Sequence, residues 1–318
     1  MTQLEQRVRE KKWKLLHKET IHGTHAGHIT RIEVVDGDNE RGMFIYKEFA
    51  ENRENEVDIY LKIKKHMKKF SKVVEVWDEA PKAILMSDLS SPLKDSFQPL
   101  SLKEKKKVLQ SVLQRLSDLH TSEQPLLGNQ LKTHTITFEW RRWCLDELTK
   151  LCANHQWVQA EWIHTINHAY EQLSFDQYEV RGPYVLTHGD PHLENIFQHE
   201  GEIWFIDWEW ASLGSPLRDI TILLQDVYDI ELIQFVFLSY RSLLEEKKLI
   251  IGKEDYQKDF KLLYVDHTTM MLAWEIHKYF EGYAKEEEMK RIIEFKVGEI
   301  KRIAFNKTGE SNTPELDI

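Results

Sequence analysis

A histidine, an aspartate and an asparagine stand in the pattern H-x-D-x4-N at His188, Asp190 and Asn195, and Asp207 follows 17 residues after Asp190 at the end of an apolar strand pattern. Phosphoryl transfer from ATP needs a carboxylate that positions the acceptor and oxygen ligands for magnesium, which also touches the phosphates. One carboxylate, one amide five residues on and one carboxylate at the end of the next hairpin can supply all of these from a compact turn. Asp190 would orient, and could deprotonate, an acceptor hydroxyl, while Asn195 and Asp207 would bind the metal. Asp, Asn, Gly and Pro also punctuate ordinary loops, so the types alone decide little. A second chemistry is open to the same stretch. His188, Asp190 and His192 alternate, as ligands of a phosphoesterase-like metal cluster would, with Asp207 as a further ligand. His120, His164, His168, His267 and His277 show no paired ligand spacing to complete it.

The segments on either side must position these residues. Residues 2–16 read as an amphipathic helix. His28 to Val35 alternates, Asp36-Gly37 is a hairpin turn signal, and Gly42 to Phe49 reads as a second strand. A helix follows with Val57, Tyr60, Leu61 and Met67 on its apolar side, then strands Val73 to Trp77 and Ala83 to Met86. After Leu89 the pattern turns helical. Ser101 and Glu104 form a capping-box signal ahead of the stripe Val108, Leu109, Val112, Leu113, Leu116, Leu119. Helical patterns continue over 138–154, 158–173 and 216–305, interrupted by a strand-rich island from Tyr184 to Asp207. The expected fold class is α+β: a small antiparallel sheet with one main helix, then a larger helical part. The expected domains are 1–89, 90–305 and a disordered tail over 306–318.

Composition removes several classes. With 41% hydrophobic and 30% charged residues the chain is neither disordered nor membrane-embedded. Its longest apolar runs are too short to span a bilayer. The N-terminal MTQLEQRVREKKWKLL lacks the unbroken apolar core of a secretory signal, neither end carries a lipidation signal, and the expected location is cytoplasmic. Cys144 and Cys152, eight residues apart on one helix pattern, would sit about 12 Å apart, too far for a disulfide. Of the net charge of −10, residues 1–95 carry +1 and the remainder −11. That field disfavours nucleic acid and suits a cationic ligand in the later part.

The stretch from Thr187 to Ile220 resembles the aminoglycoside phosphotransferase and choline kinase superfamily, distant relatives of protein kinases. The family's H-G-D-x-H-P-G-N stands here as HGDPHLEN, matching His188, Gly189, Asp190, His192 and Asn195. Leu193 and Glu194 replace the usual Pro and Gly, and Glu194 places a carboxylate beside the presumed metal ligands. IDWEWASLGSPLRDI is similar to the second family segment almost throughout. The resemblance implies a protein-kinase-like fold, ATP and Mg2+ as cofactors, Asp207 as a metal ligand and Asp219 as a buried acceptor bracing the catalytic turn, with His188 and His192 in support. Upstream it implies Lys47 on the α- and β-phosphates and Glu56 as its partner, with Glu51 and Glu54 as competitors. It also implies an adenine-binding hinge at Ser87, Asp88 and Leu89. The turn around Gly23 and Gly27 lacks the G-x-G-x-x-G pattern but could cover the phosphates.

The expected activity is that of a small-molecule kinase acting on a hydroxyl. Acceptor candidates are Trp210, Asp226, Asp229, Trp274 and Glu275. Acid suits polyamino sugars, and aromatic faces with acid suit choline. An aminoglycoside-like acceptor therefore stands slightly ahead of choline, ethanolamine or homoserine. A catalytically silent relative is the competing class. Nucleic acid and membrane are not expected partners, and the sequence leaves the oligomeric state open.

Overall fold

The computed structural model describes residues 2–21, 28–50, 55–122 and 130–305. Gly23, Gly27, Glu51, Glu54 and the expected tail lie outside them. Compactness divides the chain into two units, one of Met1–Ser101, Ser122–Lys132 and His188–Ala211, the other of Leu102–Thr121, Thr133–Thr187 and Ser212–Ile318. The expected division at 89/90 follows the sequence alone. By contacts, 90–101 and the segment carrying His188, Asp190, Asn195 and Asp207 belong with the first unit.

The first unit is built on a five-stranded antiparallel sheet ordered β1-β2-β3-β5-β4, from β1 (Lys14–Ile21), β2 (His28–Val35), β3 (Arg41–Glu48), β4 (Val73–Trp77) and β5 (Ala83–Ser87). Alternation puts Ile32, Val34, Tyr46 and Leu85 on one face, where Leu4 and Val8 of α1 (Gln3–Glu10) close a core. The expected helix over 2–16 is shorter. It opens with a Thr2–Glu5 capping box and ends at Glu10, because Lys12 takes a left-handed φ of 60° and turns the chain back. Trp13 then stacks on Phe44 at 4.8 Å, and Leu15 packs inward as part of β1. Arg7, buried, fastens α1 to the sheet through Tyr46 Oη (2.7 Å) and the carbonyls of Glu79 (3.1 Å) and Pro81 (2.7 Å).

α2 (Asn55–Met67) buries Glu56, Val57, Ile59, Tyr60, Ile63 and Met67. Leu61, expected on that face, is 43% exposed. At 100° per residue it falls opposite the stripe that Ile59 and Ile63 complete. A short helix α3 (Leu93–Phe97), absent from the sequence reading, buries Leu93 and Phe97. Lys94 N–H donates to the Leu193 carbonyl (3.1 Å), and Pro92 bridges Phe197.

The second unit is helical: α4 (Leu102–Thr121), α5 (Glu139–Asn154), α6 (Glu161–Gln172), α7 (Leu217–Leu223), α8 (Ile230–Glu246), α9 (Lys253–Phe280) and α10 (Glu286–Phe305). α4 packs on α8, α5 and α10 on α9, and α6 on α10. The predicted stripe holds, with Leu109, Val112, Leu113, Leu116 and Leu119 all fully buried. Each contributes roughly 1.5–3 kcal/mol by leaving water. Both cysteines are free and lie on α5, with Cys144 buried.

Four short strands flank the stretch of sequence carrying His188, Asp190, Asn195 and Asp207, β6 (Val185–Thr187) and β9 (Ser212–Gly214) in the second unit and β7 (Ile196–His199) and β8 (Glu202–Phe205) in the first. β6 pairs antiparallel with β9, and β7 with β8. Arg218, on α7, clamps the first ladder by donating to Thr187 Oγ1 (3.0 Å) and Ser212 Oγ (2.5 Å). Among the described residues no helix is long and apolar enough to cross a membrane.

Candidate active site

Lys47 leaves the end of β3, the partner of Ile84 in the ladder with β5. Its Nζ donates to Glu56 Oε2 of α2 at 2.5 Å and to Asp207 Oδ1 at 3.2 Å. Burial alone would lower the ammonium's pKa, but the two carboxylates overcome it and raise it to about 12. Burial pushes Glu56 up to about 7, against the pull of Lys47. Its Oε1 is buried with no hydrogen-bond partner. Glu56 is therefore the group in this cluster that changes charge near neutrality. Raised above its ordinary 4.5, it costs stability as pH rises through 7, while only the ionised form holds Lys47 fully. The activity of the native chain should fall as pH drops below about 7 for this reason. Glu56→Gln should lower kcat/KM yet flatten that limb, and should lose less stability than wild type between pH 5 and pH 8. Parallel pH–rate and denaturation series check both, and an unchanged acid limb in the variant would assign it elsewhere.

Asp207 follows β8 with φ of 63°, a left-handed conformation that aspartate tolerates better than most side chains. One carboxylate oxygen faces Lys47, and Oδ2 has no hydrogen-bond partner among the described residues. Two residues on, burial raises Glu209, and the charge on Asp207 adds to it.

The turn after β6 is held from several directions. Gly189, at φ of 89°, lets the chain reverse where a Cβ would be strained. His188, fully buried between Phe205 and Trp208, accepts the Asp190 N–H on Nδ1 (3.2 Å) and donates from Nε2 to the Ile206 carbonyl (2.9 Å). Both ring nitrogens are thus committed to backbone, which ties the Asp190 turn to the residue before Asp207. A metal-ligating role for His188 is incompatible with this, and the described residues contain no cluster of three or more His, Cys, Asp or Glu able to hold a metal. Asn195 donates from Nδ2 to the Asp190 carbonyl (2.9 Å) and to Asp190 Oδ2 (3.2 Å), and its N–H donates to the His192 carbonyl (2.9 Å). Its amide orientation leaves Oδ1 as an acceptor without a partner among the described residues. His192 Nε2 lies 3.5 Å from Asp190 Oδ2. Glu194, the departure from the family pattern, pairs with Lys94 Nζ, and Leu193 is fully buried.

At the segment expected to form the hinge, Ser87 N–H donates to the Lys72 carbonyl and Asp88 N–H to the Met43 carbonyl, each at 3.0 Å. The Asp88 carboxylate accepts Arg31 Nε (2.7 Å) and Ser90 N–H (3.0 Å). The Leu89 N–H has no partner among the described residues.

Trp210, on the first unit, is 52% exposed. The other acceptor candidates lie in the second unit, where Asp226 and Glu275 both act on Lys296 and Tyr228. Asp229 caps α8 by accepting the N–H groups of Glu231 (2.8 Å) and Leu232 (3.2 Å). Trp274 meets Trp143 and His277. Glu275 is buried and accepts Lys278 Nζ at 2.9 Å. Asp226 is buried at the end of a 3₁₀ turn, near the buried Lys296 that donates to Gln225. Asp219 is fully buried beside His120 Nε2 (2.8 Å), whose Nδ1 meets Tyr240 Oη. Sequence reasoning missed His120 and Arg218 as supports: Asp219 stands 99 residues from His120, Arg218 reaches Ser212 and Thr187 across 6 and 31 residues, and no local spacing marks either.

Fold and site define a phosphotransferase built on a protein-kinase-like scaffold. The chain belongs to the phosphotransferase enzyme family APH, whose model matches residues 47–239, and it is a small-molecule phosphotransferase. Among solved structures it is similar to a spectinomycin phosphotransferase in complex with ADP and spectinomycin (TM-score 0.61, 15% identity, 95% of this chain and 97% of that one). It is also similar to a choline kinase from Streptococcus pneumoniae (0.54, 16%, 94% and 99%) and to a choline/ethanolamine kinase family protein from Mesorhizobium loti (0.57, 13%, 92% and 89%). No curated protein sequence matches it.

Proposed function

We propose that this protein is an ATP- and magnesium-dependent kinase that transfers a phosphoryl group to a hydroxyl of a small, cationic molecule. The observation that carries the reading is the Lys47–Glu56–Asp207 chain together with the Asn195-braced Asp190 in one unit. The ammonium, held by Glu56, is suited to the α- and β-phosphates. The open Leu89 N–H suits an acceptor atom of adenine. Asn195 Oδ1 and the Asp207 carboxylate offer hard oxygens without competing donors on them except Lys47, the donor type magnesium prefers. Bound there, the ion would neutralise charge on the phosphates. Asp190, fixed by Asn195 and by the His188 turn, accepts the proton of the acceptor hydroxyl as its oxygen bonds to phosphorus. The bond from phosphorus to the bridging oxygen breaks, and ADP leaves. The Glu194–Lys94 pair engages the carboxylate by which this loop departs from the family pattern.

The acid excess after residue 95 supports a cationic acceptor, as does the pairing of ADP with spectinomycin in one structural neighbour. Aminoglycoside-like compounds stay first, with choline, ethanolamine and homoserine next. ADP release from ATP and magnesium across aminoglycosides, spectinomycin, choline, ethanolamine, homoserine and simple sugars tests this. One acceptor class should stimulate release. Silence across the panel by a protein that still binds nucleotide would turn the reading towards a retired enzyme.

A further inference from the structure

We propose that a cavity in the second unit, between the segment following α6 and the N-terminal half of α9, is a separate binding site for a small, hydroxyl-bearing phosphomonoester. The cavity measures ≈ 350 Å³, within the range of about 300–1,000 Å³ typical of small-molecule sites. Arg181, Lys258 and Lys261 line it together with Glu179 and Glu254. None of these five side chains has a hydrogen bond or an ion pair in the described residues. Tyr178, also in the wall, buries a hydroxyl with no partner.

Three unpaired cations against two carboxylates leave a net positive hollow in a chain of net charge −10. A guanidinium and two ammoniums match a phosphate dianion, the Arg181 fork by shape and the lysines by charge. Burial lowers the Lys261 pKa, as expected of an ammonium that has lost water without gaining a counter-ion. Glu179 and Glu254 would accept ligand hydroxyls and repel a longer polyphosphate, which separates this site's chemistry from a nucleotide's. The backbone of the wall at Arg181 is fixed in advance. Arg181 N–H donates to buried Asp259 (3.2 Å to Oδ1), which also accepts Ser215 Oγ (2.9 Å). A backbone held in place before binding loses less entropy to it, while the Arg181 and lysine side chains order on the ligand.

Isothermal titration with glycerol 2-phosphate, and with glycerol as the uncharged control, tests the assignment on wild type, Lys47→Ala and the Arg181→Glu/Lys258→Glu double variant. Wild type and Lys47→Ala should bind the phosphomonoester saturably, glycerol should give no heat, and the double variant should bind at least about tenfold more weakly. Lys258→Gln, a milder change at an exposed position, should weaken binding several-fold should the double variant prove misfolded by circular dichroism. Absence of saturable binding by wild type overturns the proposal, as does retention by the charge-altered variants. Loss in Lys47→Ala with retention in the double variant would place the anion at the nucleotide site instead. The outcome is independent of which acceptor the enzyme phosphorylates.

Discussion

Asp190→Ala is expected to lower turnover by roughly 10²–10⁴ while nucleotide affinity stays within about twofold. The geometry separates the two quantities. Lys47, Glu56 and Leu89, the groups suited to the nucleotide, have no hydrogen bond to the Asp190 side chain, whose contacts are Asn195 and His192. Removing the carboxylate frees Asn195 Nδ2 from one of its two acceptors, but the bond to the Asp190 carbonyl remains and the turn keeps its shape. Single-turnover rates beside equilibrium titration with a fluorescent ATP analogue read both numbers. Transfer by the variant equal to wild type would end the role assigned to Asp190.

Asp207→Asn should instead act on binding, weakening magnesium-dependent nucleotide affinity by at least about ten- to hundredfold, the range seen when even indirect metal partners are lost. Asparagine accepts the left-handed φ of 63° as well as aspartate does, so the effect is not one of backbone strain. The substitution removes one of the two carboxylates on Lys47 and leaves Glu56, so affinity measured without magnesium should change far less. Titrations with and without the ion distinguish these. Equal affinities for wild type and variant in its presence would take Asp207 out of the metal site.

Much of this arrangement was legible because it is local. His188, Asp190, Asn195 and Asp207 fall within one turn and one hairpin, β7–β8, so their spacing carries their geometry. Strand β2 was readable from alternation, β3 to β5 as short strand-like runs between turn signals, and α4 from its leucine stripe. What escaped depended on tertiary context. The stop of α1 is a left-handed Lys12, a conformation that lysine's type does not announce, and β1 begins where Trp13 finds Phe44. The short α3 is too brief for any periodicity. His120 reads from sequence as one histidine among fifteen, and only the fold brings it to Asp219. The acceptor candidates were chosen by type alone, acidic and aromatic residues on late helices, and the structure shows what several of them touch. Asp229 is occupied in capping and Glu275 in pairing with Lys278.

The three-rung ladder of β6 with β9 has a topological consequence. Thr187 and Ser212 are opposite one another, so the chain departs for the His188–Ala211 excursion and returns at the same place. The excursion is a closed cassette whose two ends are held at fixed separation by strand pairing and by the Arg218 clamp. The entropy of closing that loop is met by Val185, Leu186 and Leu213, not by any residue that does chemistry. Inside the first unit the cassette is tied to α3, where the Leu193 carbonyl accepts Lys94 N–H and Glu194 pairs with Lys94. A lineage that retunes the interior, as Leu193 and Glu194 do here, keeps the two ends of the cassette where they are and repacks only what lies between them.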